Sequence, residues 1–295
     1  MGHHHHEEVT GKALGFTVFL NILITVVEII GGIISGSLSL LSDALHNFSD
    51  AISLIISYIA LKMSKRPRTG KYTFGLKRVE IIAAVFNASV LIAISILLIK
   101  EAYHKFYFPN KVSGELMAGI ALIGLAANII GTLLLKKGAK SNINIRSSYL
   151  HLLSDAFSSF AVIIGGVSIY YYEYYWVDPL LTVLISLYIL KESYELVKQS
   201  VSILILASPK EIEVEHIKET IEKIKEVINL HHVHIYHFSE DEIHFQGHIE
   251  VSENMRICDA TALSRKIEHI LHEEFGVEHA TLQFESNKCD NTSLI

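Results

Sequence analysis

Two short segments of the sequence carry histidine and aspartate in the same order and at the same spacing. HNFSDAISL begins at His46 and contains Asp50, and HLLSDAFSS begins at His151 and contains Asp155. Residues four apart lie on one face of a helix, so each segment presents an imidazole and a carboxylate together. Two imidazole nitrogens and two carboxylate oxygens suit a four-coordinate divalent cation, with Zn²⁺ as the first choice. The two segments therefore predict one shared metal site.

Both segments lie in strongly apolar surroundings, where ionisable side chains are costly. An ionised group at the centre of a bilayer costs several kcal/mol, so such groups face a partner or a water-filled path. Hydrogen bonding between helices is the simpler alternative, at about 1 kcal/mol for each polar group. Two histidines and two aspartates that meet from two helices favour metal binding instead. The spans contain no cysteine or methionine cluster, which argues against Cu(I).

The elements that must position these residues are predicted to be membrane spans. Half of the 295 residues are hydrophobic, and the mean hydropathy is +0.37. A helix of about 20 apolar residues crosses the hydrocarbon core. Six stretches are long enough, at residues 13–34, 40–61, 79–99, 116–135, 149–172 and 179–197. The sequence thus predicts an all-α transmembrane domain of six helices.

The loops between the spans differ in charge, and this difference predicts the orientation. Residues 62–78 contain seven lysines and arginines, and residues 136–146 contain four. Basic loops stay in the cytoplasm, so both termini are expected there, most simply at a bacterial inner membrane. Residues 170–178, rich in tyrosine, suit the opposite interface. The net charge of -6 does not indicate a nucleic-acid partner.

Charge balance at the predicted site indicates a transport mechanism. Two ionised carboxylates with neutral imidazoles match the charge of one divalent cation, and protons should replace the cation when it leaves. Metal and protons then compete for the same atoms, as in an antiporter. A channel would prefer weaker and multiple sites. A metalloenzyme would need an open coordination position, and no HExxH motif occurs in the spans. In a sensor whose spans only anchor the cytoplasmic domain, the two His-x-x-x-Asp pairs in the membrane would have no role.

The chain after the last span is charged and mixed in composition, and its periodicity predicts an α+β domain of order α, β, β, α, β. In the second strand, alternation places Ile243, Phe245, Gly247, Ile249 and Val251 on the buried face, and His244, Gln246, His248 and Glu250 on the other. The predicted organisation has four parts: a His-rich head or purification tag at 1–11, the transport domain at 12–206, the cytoplasmic domain at 207–286 and a tail at 287–295.

Over residues 12–286 the chain resembles the cation diffusion facilitators, which are six-span, proton-coupled metal exporters. The resemblance rests on GSLSLLSDALHNFSD, YTFGLKRVEIIAA, HLLSDAFSS, WVDPLLTVLIS and HATLQFE. It implies that His46, Asp50, His151 and Asp155 form the transport site. It also implies a homodimer in the lipid bilayer, in which metallochaperone-like cytoplasmic domains close together when they bind metal. The histidine at position 46 implies a preference for zinc, with Cd²⁺ and Co²⁺ as further substrates to consider.

The resemblance also implies a second, regulatory Zn²⁺ site in the cytoplasmic domain. The family's ligand positions fall on His231, His248 and Glu285, with Gln283 or a water as the fourth ligand and Cys289 as an auxiliary one. His232 and Tyr236 depart from the family pattern, which usually has Asp and Trp there. A basic residue at the start of span three pairs with an acid after span six in some members, but the segment VSILILASP offers no acid.

Three further acids lie in the spans or next to them. Asp43, one turn before His46, is interpreted as a supporting or entry-path acid rather than a fifth ligand, although it remains an auxiliary candidate. Glu28 has two open interpretations, structural pairing with a neighbouring span and proton relay. Asp178, before Pro179, is predicted to cap span six.

Overall fold

The computed structural model describes residues 3–64, 69–136, 143–239, 242–286 and 293–295. The described chain divides into two compact units, residues 1–59 with 84–197 and residues 60–83 with 198–295. The helices of the amino-terminal two-thirds are α1 (His3–Ser35), α2 (Leu38–Ser64), α3 (Val79–Tyr107), α4 (Gly114–Leu135), α5 (Ile143–Tyr172) and α6 (Val177–Leu204). Each predicted span lies within one of these helices.

Within the described residues, three helical segments are long and apolar enough to cross a membrane. They are Val79–Tyr107, Gly114–Leu135 and Tyr149–Tyr172, and a shorter apolar stretch covers Phe19–Ser35. The number of crossings, six, stays a prediction.

The helical unit is held together by a buried apolar core and by close approach of its helices. Leu40, Met117, Ala121 and Val162 are among the buried residues of its core cluster. Helices α4 and α5 approach so closely at Gly166 that a Cβ atom there would lie 2.7 Å from the backbone nitrogen of Ala118. Only glycine fits this contact, because small residues let two backbones approach within a membrane.

A tight turn joins α1 to α2 and fixes where α2 begins. Gly36 has a φ of 73°, a left-handed conformation that glycine adopts without steric cost. The Lys105 ammonium donates to the Gly36 carbonyl at 2.7 Å, and Lys105 is buried. The free carbonyl at the end of α1 is thereby satisfied, as helix ends require.

The second unit contains α7 (Val214–Ile221), β1 (Asn229–His237), β2 (Ile243–Glu250), α8 (Ile257–Phe275) and β3 (Val277–Glu285). The element order α, β, β, α, β matches the sequence prediction. β2 is the middle strand, antiparallel to β1 and parallel to β3. The buried core joins both helices to one sheet face, through Ile217, Ile221, Leu230, Val233, Phe245, Ile249, Ile267 and Leu271 among others.

A bulge in β1 sets which side chains face the core. His231 pairs with His248 and His234 with Gln246, so β1 holds one extra residue between these pairs. His232 takes that place with a φ of 53°. Leu230 and Val233, three residues apart, both enter the core as a result, although regular alternation would put them on opposite faces. The bulge leaves His231 on the same face as His248.

The segment before α3 docks on the turn between β1 and β2. Lys77 forms an ion pair with Glu242, and the Arg78 guanidinium lies 5.1 Å from the ring centroid of Phe238. Arg78 Nε also donates to the Phe238 carbonyl at 3.2 Å, and the Phe74 ring packs 5.2 Å from that of Phe238. The acid that pairs with the basic segment thus comes from the β1–β2 turn rather than from residues 201–209.

Candidate functional site

The helices bring together the four side chains predicted to form the transport site. His46 and Asp50 come from α2, and His151 and Asp155 from α5. The shortest contact between the helices joins His151 Nε2 to an Asp50 oxygen at 3.1 Å, and His46 Nε2 lies 3.9 Å from an Asp155 oxygen. Within each helix the imidazole-to-carboxylate distances are 3.7 Å and 3.5 Å. The two His-x-x-x-Asp segments therefore face each other.

These distances suit a single small cation. Zinc binds nitrogen and oxygen at about 2.0 Å, so two ligand atoms of a tetrahedral shell lie about 3.3 Å apart. The four nitrogen-to-oxygen distances, from 3.1 to 3.9 Å, surround that value. His46, His151 and Asp155 each offer one ligand atom within 4.8 Å of the others. Asp50 is not one of these three residues, but its Oδ2 atom lies 3.7 Å from His46 Nε2 and 3.1 Å from His151 Nε2.

The polar atoms of the site are not all satisfied by the protein. Asp155 Oδ2 and His46 Nδ1 are buried, and neither has a hydrogen-bond partner among the described residues. A buried carboxylate oxygen without a hydrogen bond is unfavourable, because it has lost its bonds to water, and the nearest imidazole nitrogen, His151 Nε2, lies 3.5 Å from Asp155 Oδ2. A cation at the centre of the four side chains would compensate for that loss.

Exposure within the site is uneven. The Asp155 side chain is 3% exposed and that of His46 12%, whereas Asp50 is 28% and His151 37% exposed. The site is therefore closed on the side of Asp155 and open on the side of His151. A cation reaching the four side chains would meet His151 and Asp50 first.

Asp43 lies beside the site but is directed at serines of α5. Its carboxylate accepts hydrogen bonds from Ser158 Oγ at 2.6 Å and from Ser159 Oγ at 3.3 Å. These bonds tie α2 to α5 two turns from Asp50 and fix the distance between the two helices that carry the histidines. The geometry fits the predicted supporting role.

Glu28 is paired with a neighbouring helix. It is fully buried in α1 and accepts a hydrogen bond at 3.0 Å from the side-chain amide of Asn47, the residue after His46. Gly124 of α4 makes room for it, since a Cβ atom there would lie 2.4 Å from Glu28 Oε1. Structural pairing is therefore present, and a proton-relay role stays a hypothesis.

The predicted role of Asp178 is wrong. It lies in the first turn of α6, but its buried carboxylate caps α2. It accepts hydrogen bonds from Ser37 Oγ at 2.6 Å, Ser39 Oγ at 2.7 Å, Leu38 N at 2.9 Å and Ser39 N at 3.1 Å. The error arose because a cap is normally local in sequence, whereas this one comes from a residue about 140 positions away.

The second unit brings its three predicted ligands together. His248 Nδ1 lies 2.9 Å from one Glu285 oxygen, and His231 Nε2 lies 3.6 Å from the other. Their ligand atoms fall within 4.8 Å of one another, and His231 is buried. The side-chain amide of Gln283 donates a hydrogen bond to the Glu285 carboxylate and so helps to orient it. Cys289 lies outside the described residues.

Sequence reasoning missed the position of His232 in this cluster. The bulge turns its ring toward His248, at a centroid distance of 4.9 Å. The available signal was the three-residue spacing of Leu230 and Val233, which strict alternation cannot bury on one face.

Comparison with known proteins gives two family matches, which together cover most of the chain. Residues 16–205 match the cation efflux transmembrane domain. Residues 209–287 match the cytoplasmic domain of cation efflux proteins.

Similar proteins extend over nearly the whole chain. A cadmium, cobalt and zinc/H(+)-K(+) antiporter of Bacillus subtilis is 35% identical over 297 residues, covering 100% of this chain and 95% of the relative. The zinc transporter ZitB of Escherichia coli is 37% identical over 265 residues, covering 89% and 83%. The metal cation efflux system protein CzcD of Cupriavidus metallidurans is 30% identical over 294 residues, covering 98% and 91%. The chain is an integral membrane protein of the cation efflux family, the cation diffusion facilitators.

Proposed function

We propose that this protein exports Zn²⁺ from the cytoplasm in exchange for protons, by alternating access of one site. The proposed site consists of His46, Asp50, His151 and Asp155. The observation that carries the proposal is the convergence of two imidazoles and two carboxylates from α2 and α5 at nitrogen-to-oxygen distances of 3.1 to 3.9 Å, close to the spacing of ligands in a tetrahedral zinc shell. The family membership supports a cation substrate.

Proton exchange follows from the chemistry of the ligands. Zinc binds deprotonated carboxylates and neutral imidazoles, so binding competes with protons for the same atoms. After the metal leaves, the two carboxylates are close together and partly buried, and protons on the four side chains relieve their repulsion. Net inward proton movement would then accompany each exported ion. Histidine is well suited to this exchange because it titrates near cellular pH.

The names of the relatives widen the range of substrates. ZitB of Escherichia coli is named as a zinc transporter, and the Bacillus subtilis relative is named as an antiporter of cadmium, cobalt and zinc with H⁺ and K⁺. We propose zinc as the main substrate, with Cd²⁺ and Co²⁺ as further ones. Nitrogen and oxygen donors bind all three ions, so selection must come from geometry.

A regulatory zinc site in the cytoplasmic domain is part of the same proposal. His231, His248 and Glu285 supply two nitrogens and a carboxylate, which is a suitable zinc donor set. The match of residues 209–287 to the cytoplasmic domain of cation efflux proteins supports a homodimer. Both termini and this domain are proposed to lie in the cytoplasm, with six crossings of the membrane before it.

The transport site is tested by zinc uptake into proteoliposomes. Asp50→Ala and Asp155→Ala each remove a proposed ligand, and both should reduce zinc uptake by at least about tenfold. Glu115→Ala, which removes an exposed acid in the first turn of α4, is the matched control and should retain uptake. Uptake that survives both aspartate substitutions would refute the site.

A pH gradient separates an antiporter from a channel. With parent protein in the same vesicles, an imposed gradient that supplies protons on the release side should accelerate zinc flux. Flux that follows the zinc gradient alone and ignores the pH gradient would favour a channel instead.

A further inference from the structure

We propose that Glu192 is the residue that captures the divalent cation at the open side of the transport site, and that the Tyr188 hydroxyl holds the Glu192 carboxylate in place there. This inference rests on the proposed transport function and concerns how the cation enters the transport site. Neither residue belongs to the proposed ligand set. Both lie on α6, a helix that supplies none of the four ligands.

Tyr188 connects α6 to the site. Its ring contacts the His46 ring edge-on, with 6.3 Å between the centroids. Its hydroxyl lies 3.3 Å from Ser154 Oγ. Ser154 lies between the two proposed ligands of α5, so Tyr188 touches both ligand-bearing helices at once. A tyrosine with an apolar body and a polar tip suits the boundary between a packed helix and a wet opening.

Glu192 lies one turn further along α6, on the same face as Tyr188. Its carboxylate interacts with the Tyr188 hydroxyl and electrostatically with His151. His151 is the most exposed of the four proposed ligands. Glu192 therefore faces the open side of the site, about 6 Å along the helix axis from Tyr188.

In the described part of the chain, no lysine or arginine forms an ion pair with Glu192, and His151 is the basic side chain with which its carboxylate interacts. Its neighbour Lys191 forms an ion pair with Glu195 instead, at 4.0 Å. A carboxylate that has no lysine or arginine partner beside a low-dielectric opening attracts cations and raises their local concentration. The carboxylate is thus positioned to bind the incoming ion briefly and to deliver it to His151 and Asp50.

The location along α6 agrees with entry from the cytoplasm. Glu192 lies between Tyr188 and the carboxyl end of α6 at Leu204. In the proposed orientation that end is cytoplasmic, which is the side from which an exporter takes its substrate. A metal ion would meet Glu192 before it reaches the buried Asp155.

The test measures initial zinc uptake against zinc concentration in proteoliposomes, at low and at high salt. Glu192→Gln should raise the half-saturating zinc concentration about fivefold at low ionic strength, with the maximal rate within about twofold of the parent. The difference should shrink at about 0.5 M salt, because exposed charges are screened. Glu192→Asp, which keeps the charge, should restore most of the affinity. A merely structural role would alter the maximal rate and would not respond to salt.

Glu195→Gln is the matched control, since it removes an exposed acid three residues away that is already paired with Lys191. It should leave the half-saturating concentration unchanged. An unchanged value in Glu192→Gln, or an equal rise in Glu195→Gln, would overturn the capture role while leaving the transporter intact. Parent protein without zinc uptake, or uptake by Asp155→Ala equal to that of the parent, would overturn the transport function and this inference with it.

Discussion

Asp178→Asn is predicted to destabilise the helical unit, because the Asp178 carboxylate caps α2 from another helix. One of its oxygens accepts from Ser37 Oγ, Ser39 Oγ and Ser39 N, and the other accepts from Leu38 N. Asparagine keeps the shape of the side chain. It replaces one acceptor by an NH₂ donor, so one backbone bond becomes a contact between two donors.

The size of the effect follows from these contacts. A lost hydrogen bond to a charged group costs about 1.5–3 kcal/mol, and loss of a negative charge at a helix amino terminus costs about 0.3–1 kcal/mol more. Asp178 is fully buried, so solvent does not screen the change. The expected loss is about 3 kcal/mol in the free energy of unfolding. For a unit of this size that corresponds to a fall of roughly 8 °C in the unfolding temperature.

The assay is thermal unfolding of the full-length protein in detergent, combined with zinc uptake. Ser39→Ala removes the hydroxyl bond to Asp178 at 2.7 Å and the contact with Ser37 Oγ at 3.2 Å, keeps both backbone bonds to the carboxylate, and should cost about 1 kcal/mol. Glu115→Gln removes an exposed acid in the first turn of α4, so it loses only the interaction of that charge with the helix dipole and should lower the unfolding temperature by less than about 2 °C. Uptake should fall in Asp178→Asn, since α2 carries His46 and Asp50. An unfolding temperature within 2 °C of the parent would contradict the capping argument.

Two further predictions concern the cytoplasmic unit. Burial first, and then the neighbouring His279, lower the pKa of His244, against the opposing effect of Glu242. His244 is therefore protonated more readily in the unfolded chain than in the folded one. The free energy of unfolding should be unchanged above about pH 6.5 and should fall as the pH drops below that value. Hydrogen exchange of β2 amides at pH 7.5 and 5.5 measures this fall, and His244→Phe should reduce it whereas exposed His269→Phe should not. Glu285→Gln in an Asp155→Ala background should weaken zinc binding to the cytoplasmic site by about 10–100-fold in calorimetric titrations, and an unchanged affinity would exclude Glu285 as a ligand.

Much of the secondary structure followed from the sequence because local patterns specify it. Apolar stretches long enough for a span recur six times, and each lies within one helix of the structure. Alternation in β2 correctly separated Phe245 and Ile249 from Gln246. In β1 the same rule fails, because an extra residue at His232 shifts the register and alternation carries no sign of it.

The candidate sites could be predicted only as sets of residues. Repetition of His-x-x-x-Asp indicated that His46 and Asp155 belong together, since two such pairs in apolar helices need a common partner. The same sequence gave no indication that Glu242 would pair with Lys77. Contacts between residues far apart in sequence depend on how the elements pack, and no local pattern encodes them.

The sequence by itself determined the donor chemistry, the apolar lengths of the helices and the order of elements in the cytoplasmic unit, because these depend on residue type and spacing. Tertiary structure alone decided that the site opens toward His151, that Asp178 caps α2 and that Tyr188 of α6 contacts His46. Each of these depends on the rotation of one helix against another. That rotation is set by the packing of many side chains together, which includes the close contact at Gly166.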